Sequence, residues 1–115
     1  MILVVGGRAN GKKQFVIEQL GYREDQIASA QLDDRPVLSD LHKLIESDEQ
    51  IDSLFPLLLT KEVVICDEVG CGVVPVDPVE RKWRDAVGRL SAKLAQEATE
   101  VFRVQVGLAT KLKGF

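Results

Sequence analysis

Short apolar runs alternate along the chain with segments in which apolar residues recur every three or four positions. The apolar runs predict strands at about 1–5, 35–40, 62–66 and 101–106, with a weaker candidate at 26–30. Segments of helical periodicity lie between several of these runs. This alternation is typical of βα units, in which helices cover both faces of a mainly parallel sheet. The pattern therefore predicts a three-layer α/β fold with about five mainly parallel strands.

Three longer helices are predicted from the same periodicity. The first covers about 11–20 and is followed by Gly21, a residue that commonly ends helices. The second lies within 47–59 and contains Pro56, which should kink it or confine regular helix to one side. The third begins at Asp77, which is followed by proline at the first helical position and glutamate at the third.

The third helix carries an apolar stripe that is expected to face the core. Its members are Val79, Trp83, Val87, Leu90 and Leu94. For Trp83, packing in the core is favoured over stacking on a ligand, because a large aromatic at stripe spacing usually packs. Beyond the strand at 101–106, the segment 107–113 is expected to add an edge strand whose lysines discourage further pairing.

Composition narrows the class of protein. A chain of 115 residues that is 45% hydrophobic can form one cored domain, so a single domain over 1–115 is expected. The formal net charge of −3 argues against nucleic acid or an anionic membrane as partner, since both need a basic field. Neither a basic leader segment nor an apolar stretch approaching ~18 residues is visible, and a cytoplasmic location is expected.

The first apolar run leads directly into a glycine-rich loop with a lysine at its end. The loop consists of Gly6, Gly7, Arg8, Ala9, Asn10, Gly11, Lys12 and Lys13. Glycine, four residues, glycine and lysine between a strand and a helix is the spacing of a phosphate-binding loop, in which backbone N–H groups cradle phosphates. A tight βα turn that happens to contain lysine is the alternative. Because strand and helix are both in place, anion binding is favoured.

Position 13 departs from that motif. A serine or threonine there would hold magnesium, whereas an ammonium group cannot ligate a cation. The loop thus predicts phosphate binding and leaves metal-assisted phosphoryl transfer open. Arg8 and Asn10 can still donate hydrogen bonds, and Lys13 can contact phosphate directly or turn to solvent.

Carboxylates follow two of the predicted strands. Asp40 and Asp67 each end an apolar run, so a parallel sheet would bring both to the edge that holds the loop, and they are predicted as magnesium ligands. Capping of a short helix at 40–46 is an equally good role for Asp40. Glu68 begins a glycine-rich turn over 68–75. A plain connecting loop would rarely need this sequence, so a functional role is favoured for Glu68.

The two cysteines and the histidine give weaker signals. Cys66 and Cys71 resemble no strong zinc pattern, and reduced, buried structural cysteine is the favoured interpretation. His42 is the only histidine and has no second metal-type neighbour near it in sequence. It is predicted to be a packing or surface residue rather than a nucleophile.

Several motifs together resemble a known family. They are the Met-Ile-Leu-Val-x-Gly-Gly start, Glu68-Val69-Gly70-x-Gly72-x-Val74-Pro75, Trp83-Arg84-Asp85-x-x-Gly88-Arg89 and Gly107 with Lys111-Leu112-Lys113. This combination resembles the bifunctional adenosylcobinamide kinase and adenosylcobinamide-phosphate guanylyltransferase of cobalamin synthesis. The resemblance implies a P-loop α/β fold, a purine nucleotide at loop 6–13, ATP or GTP with Mg²⁺, and adenosylcobinamide as a second partner. It also implies a homo-oligomer, trimeric in the family.

Roles follow from the resemblance for a few residues. Lys12 would stabilise charge on the transferring phosphoryl group, and Glu68 would position substrate or nucleophile, so both are predicted as catalytic residues. The family has hydroxyl residues where this chain has Asn10 and Lys13, and asparagine where it has Asp67. Its guanylate-accepting histidine falls in an interval that this chain lacks, and that role is not transferred to His42.

The predicted function is therefore kinase/guanylyltransferase-like nucleotide binding in cobalamin biosynthesis, with guanylyl transfer left open. The alternatives are a non-catalytic nucleotide-binding or regulatory homologue and an assembly component.

Overall fold

A computed structural model of the chain describes residues 1–68 and 77–114. The strands are β1 (Ile2–Gly6), β2 (Ile27–Ser29), β3 (Val37–Ser39), β4 (Val63–Asp67), β5 (Glu100–Gln105) and β6 (Leu108–Lys113). The helices are α1 (Lys12–Glu18), α2 (Ile51–Leu58) and α3 (Pro78–Glu97). Short 3₁₀ segments occupy Glu24–Gln26, Leu41–Leu44 and Asp48–Gln50.

All six strands belong to one sheet with the order β2-β3-β4-β1-β5-β6. The first five are parallel, and β6 pairs antiparallel with β5 at the edge. In the centre, Val5 of β1 lies opposite Cys66 of β4 and Arg103 of β5. The predicted mainly parallel sheet and the predicted edge strand are both confirmed.

Two apolar clusters lie on opposite faces of the sheet. Leu3 belongs to one and Val4 to the other, because successive strand residues point to opposite faces. The first cluster includes Leu90 of α3 and Leu58 of α2, and the second includes Val16 of α1. The sheet is thus covered on both faces, which confirms the three-layer α/β arrangement. Complete burial of a side chain such as Leu90 stabilises the fold by about 1.5–3 kcal/mol.

The start of α3 follows the predicted signal. The Asp77 carboxylate accepts a hydrogen bond from the Val79 N–H at 2.9 Å, and Pro78 is the first helical residue. The stripe reaches the core only from Trp83 onward, since Val79 is 75% exposed in the first turn. The prediction that Val79 faces the core is therefore wrong.

Other element boundaries also differ from expectation. The predicted helix at 40–46 is a single 3₁₀ turn, and Val106 belongs to the β5–β6 turn instead of the strand. Pro56 lies inside α2, which extends only two residues beyond it.

Cys71 and the glycine-rich turn beyond Glu68 lie outside the described residues. In the described ranges, none of the helices combines the length and the apolar character needed to cross a bilayer.

Candidate nucleotide-binding site

A cleft of about 930 Å³ lies at the carboxyl ends of β1, β3 and β4. Parallel strands bring their carboxyl ends to one edge, which is where α/β proteins bind ligands. Most of the predicted site residues line it: Arg8, Ala9, Asn10, Gly11, Lys12, Lys13, Asp40, Asp67 and Glu68. Gly6 and Gly7 are not among the lining residues, and Gly6 is the buried last residue of β1. The structure therefore brings the predicted loop and the predicted carboxylates together.

Steric constraints explain two glycines of the loop. A Cβ at Gly6 would lie 2.3 Å from the carbonyl oxygen of Val104, and Gly11 has a φ of +88°. The loop is also held at its outer end, where the Gly107 N–H donates to the Asn10 carbonyl at 3.0 Å. Neither glycine can be replaced without moving backbone or adding strain.

Lys12 lies at the floor of the cleft with 7% of its surface exposed. Its Nζ donates to the Gly7 carbonyl at 2.8 Å and lies 2.7 Å from Oδ1 of Asp67. The ammonium is thus already held beside the loop that would surround a phosphate. Any phosphate that binds Lys12 must compete with the Asp67 carboxylate.

His42 connects Asp67 to helix α3. Its Nε2 lies 3.4 Å from Oδ2 of Asp67, and its Nδ1 accepts the Asp67 backbone N–H at 3.3 Å. The indole Nε1–H of Trp83 donates to the His42 carbonyl at 3.0 Å. His42 is 7% exposed, which agrees with the predicted packing role and excludes a surface one. Trp83 is half-buried against the core while also lining the cleft, so packing does not remove it from the site.

Asp40 has an unusual backbone and a polar setting. Its φ is +56°, and Oδ2 accepts hydrogen bonds from Ser29 Oγ and, at 3.4 Å, from Ser39 Oγ. The side chain makes no capping hydrogen bond to the 3₁₀ turn, so the capping role is not observed. Burial acts to raise the pKa of Asp40, but the Ser29 hydrogen bond and the charge of Lys43 outweigh it and lower that pKa. The carboxylate is ionised at neutral pH.

Sequence reasoning missed Arg103. Its Nη2 donates to Oε2 of Glu68 at 2.9 Å, and its Nε lies 2.9 Å from Oε1. The Glu68 backbone N–H also donates to the Gly6 carbonyl at 2.8 Å, so Glu68 is held next to β1. A charged residue between Phe102 and Val104 is the signal that could have revealed Arg103, because central parallel strands are usually apolar throughout.

Lys13 makes an ion pair at the mouth of the cleft. Its Nζ lies 3.1 Å from Oε1 of Glu24, with side-chain exposures of 49% and 79%. Exposed pairs of this kind contribute roughly 0–1 kcal/mol. Lys13 can therefore leave Glu24 at little cost.

P-loop kinases bind their nucleotide together with magnesium. The oxygen atoms that line the cleft are therefore compared with the ligands that magnesium requires. Magnesium prefers oxygen ligands and usually takes one or two carboxylates with the substrate phosphates. Here Lys13 replaces the hydroxyl, and the Asp67 oxygens face Lys12 and His42. Within 1–68 and 77–114, no group of three or more His, Cys, Asp or Glu side chains could hold a metal. Without the motif hydroxyl, and with Asp67 held by Lys12 and His42, the described residues fit a magnesium ion poorly, and the Asp40–Asp67 site stays a prediction.

Comparison with known proteins decides the lineage. Residues 37–112 match the model of the cobinamide kinase/cobinamide phosphate guanyltransferase family, CobU. The chain belongs to this family. The match extends from β3 into β6 and includes Asp40, Asp67 and Glu68, whereas loop 6–13 precedes it. The CobU assignment therefore rests on the later part of the chain, and the phosphate loop rests on its own geometry.

Two curated relatives agree with that assignment. Both are named bifunctional adenosylcobalamin biosynthesis protein CobU, one from Salmonella typhimurium strain LT2 and one from Escherichia coli strain K12. Each is 42% identical over 53 residues, which is 46% of this chain and 29% of the relative. The chain thus matches less than a third of the length of these relatives.

Proposed function

We propose that this CobU-family chain binds a purine nucleoside triphosphate in the cleft at loop 6–13 and serves cobalamin biosynthesis as a cobinamide kinase/guanyltransferase-like protein. The observation that carries the proposal is the placement of Lys12. A lysine held between the Gly7 carbonyl and Asp67, beneath a glycine-rich loop after the first strand, is arranged to receive phosphate oxygens. The cytoplasmic location expected from the sequence is part of this proposal.

Each site residue has a place in the proposed chemistry. Backbone N–H groups of the loop would contact the phosphates, and Lys12 would exchange Asp67 for the outermost ones. Lys12 would then stabilise charge that develops on a transferring phosphoryl group. Glu68, held by Arg103, would orient the acceptor, for which the family name indicates a cobinamide.

Tryptophan fluorescence gives a direct test of binding. Trp83 is the only tryptophan and lines the cleft, so ATP or GTP that occupies the cleft should change its emission. Lys12→Ala should weaken binding at least tenfold, because it removes the buried cation that faces the phosphates. Lys82→Ala serves as the matched control. Lys82 is an exposed lysine on the same helix as Trp83, and it does not line the cleft. Equal affinity in wild type and Lys12→Ala would contradict the proposed site.

A second experiment tests the reaction. Purified protein incubated with ATP or GTP and adenosylcobinamide should yield phosphorylated cobinamide, detected by mass spectrometry. Nucleotide binding without any product would instead support the second candidate function, a non-catalytic nucleotide-binding homologue. The observation that favours this candidate is the absence of a hydroxyl at position 13 combined with the packing of His42 against Asp67.

The oligomer implied by the family resemblance is also part of the proposal. Leu108 and Leu112 on the edge strand β6 are 75% and 52% exposed. The lysines of β6 discourage a further strand from pairing at this edge, but its exposed apolar side chains still favour packing against another chain. Sedimentation velocity should show a species larger than the monomer, and a purely monomeric protein at high micromolar concentration would contradict the proposal.

A further inference from the structure

Lys13 occupies the sequence position at which the phosphate-binding motif normally has a magnesium-binding hydroxyl. The motif's hydroxyl serves the nucleotide through a metal ion, whereas an ammonium can contact phosphate oxygens directly. The change therefore exchanges one source of positive charge for another at the same end of the loop. It does not remove positive charge from the site.

The position of Lys13 is compatible with this exchange. Lys13 lines the cleft, and so does its ion-pair partner Glu24. The pair is exposed, so a phosphate group that enters the cleft can take the place of the Glu24 carboxylate. Arg8 and Lys43 line the same cleft and are exposed as well.

A magnesium–nucleotide complex would fit the same place poorly. Once Lys13 leaves Glu24 for the phosphates, the divalent cation would share this end of the cleft with its ammonium, and like charges at short range repel. Two carboxylates of the cleft could offset this repulsion, but each already has partners. Asp67 lies 3.4 Å from His42 and, until a phosphate takes Lys12, 2.7 Å from that ammonium. Asp40 accepts hydrogen bonds from Ser29 and Ser39. Among residues 1–68 and 77–114, no group of three or more His, Cys, Asp or Glu side chains forms another place for a metal ion.

We infer that the cleft selects nucleotides whose phosphates carry no divalent cation, with Lys13 in the place of magnesium. This inference rests on the proposed nucleotide-binding function and specifies the form of the ligand. It distinguishes this chain from P-loop proteins that bind the magnesium complex, because Lys13 supplies positive charge at the position where those proteins hold the metal through a hydroxyl. The recognised group is the free polyphosphate of the nucleotide.

Calorimetry with the full chain tests the inference. ATP and GTP are titrated once with excess EDTA and once with excess Mg²⁺. Wild-type protein should bind more tightly in EDTA than in Mg²⁺, and equal affinity in the two solutions would contradict the inferred selection. Lys13→Ala should lose about tenfold to a hundredfold in affinity in EDTA, which corresponds to about 1.4–2.8 kcal/mol. Lys13→Ser, which restores the hydroxyl, should weaken binding in EDTA and make the remaining affinity dependent on Mg²⁺.

Control measurements separate this effect from folding and from general charge. Lys82→Ala removes a lysine that does not line the cleft and should leave both titrations unchanged. Circular dichroism melts of the Lys13 variants should match the wild type, because the Lys13–Glu24 pair is exposed. Any loss of affinity then belongs to the site.

The outcomes are distinct. Binding that occurs in Mg²⁺ and disappears in EDTA would overturn the inference, keep the proposed function and favour magnesium at Asp40 and Asp67. Equal losses for Lys13→Ala and Lys82→Ala would also overturn it, since the effect would be one of net charge. No binding in either solution would overturn the proposed nucleotide function together with the inference.

Discussion

Lys12 and Asp67 form the residue pair on which the site depends. Each side chain is largely buried and carries a charge that the other one neutralises. Lys12 is 8% exposed at its side chain and Asp67 is 18% exposed. The same contact opposes ligand binding, because the Asp67 carboxylate is already paired with the Lys12 ammonium that a phosphate would contact. Stability and phosphate affinity therefore oppose each other at this pair.

Asp67→Asn should shift that balance in a predictable direction. Removing the negative charge should tighten ATP or GTP binding about tenfold, because Lys12 loses its competitor. It should also lower the free energy of unfolding by about 1–2 kcal/mol, less than for a fully buried pair because Lys12 keeps its hydrogen bond to Gly7. Calorimetry and urea denaturation measure the two effects.

Asp52→Asn is the control for Asp67→Asn, because the Asp52 side chain is 98% exposed and lies outside the cleft. It should change neither nucleotide affinity nor stability. If Asp67→Asn left affinity unchanged, the carboxylate would not be a competitor of phosphate.

Cys66 gives a prediction for the pH dependence of stability. Burial is the main cause that raises the pKa of its thiol from 9.0 to about 11. The unfolded thiol loses its proton first, so the stabilisation is complete below about pH 9 and is lost as pH rises toward 11. In a Cys71→Ser background, about 2 kcal/mol of unfolding free energy should be lost between about pH 8 and pH 10.5.

The comparison for that measurement is Cys66→Ala in the same background. Both proteins share the lysine titrations of this pH range, so only the difference between their pH profiles reports on Cys66. Parallel profiles would show that the Cys66 thiol ionises equally easily in the folded and unfolded chain.

The β5–β6 turn is the element that braces the phosphate loop from outside. Its residues Val106 and Gly107 both have positive φ values, 52° and 75°. Gly107 adopts that conformation without steric cost, whereas the β-branched Val106 adopts it only with backbone strain. Val106 is 86% exposed, so no side-chain packing requires valine there.

Val106→Asn should therefore stabilise the protein. Asparagine accepts the left-handed conformation more readily than valine, and relief of this strain should raise the free energy of unfolding by about 1 kcal/mol. Nucleotide affinity should stay the same, because the Gly107–Asn10 hydrogen bond remains. Thermal denaturation and calorimetry measure both quantities. A less stable Val106→Asn protein would contradict the strain argument.

Most elements follow from the sequence because each depends on nearby residues. The buried strand β4 follows from an unbroken β-branched run, and the start of α3 follows from Asp77 and Pro78. The meeting of Lys12 with Asp67 follows from parallel strand ends.

The Arg103–Glu68 pair could not be predicted, because it requires β1 to lie between β4 and β5, and strand order is a property of the whole chain. His42 likewise finds its partners only once β3 and β4 are adjacent.

At the scale of the whole molecule, an acidic net charge coexists with a local group of cations on the phosphate loop. The formal charge is −3. The cleft is lined by five basic and five acidic residues, and three of the basic residues, Arg8, Lys12 and Lys13, belong to the phosphate loop. A small anion senses the local cations, whereas a long polyanion also meets the acidic remainder of the surface. The charge distribution thus favours nucleotides over nucleic acids.

This distribution predicts selective binding by ligand size. Free ATP or GTP should bind and lose affinity as salt is raised, because exposed cations in the cleft are screened. A 20-nucleotide single-stranded DNA and a duplex of equal length should show no binding in the micromolar range at physiological salt, since acidic residues outnumber basic ones outside the cleft. Fluorescence anisotropy with labelled oligonucleotides, competed with unlabelled ATP, measures this difference. Oligonucleotide binding that ATP does not displace would reveal a second basic surface and contradict the assignment of the cations to one small-anion site.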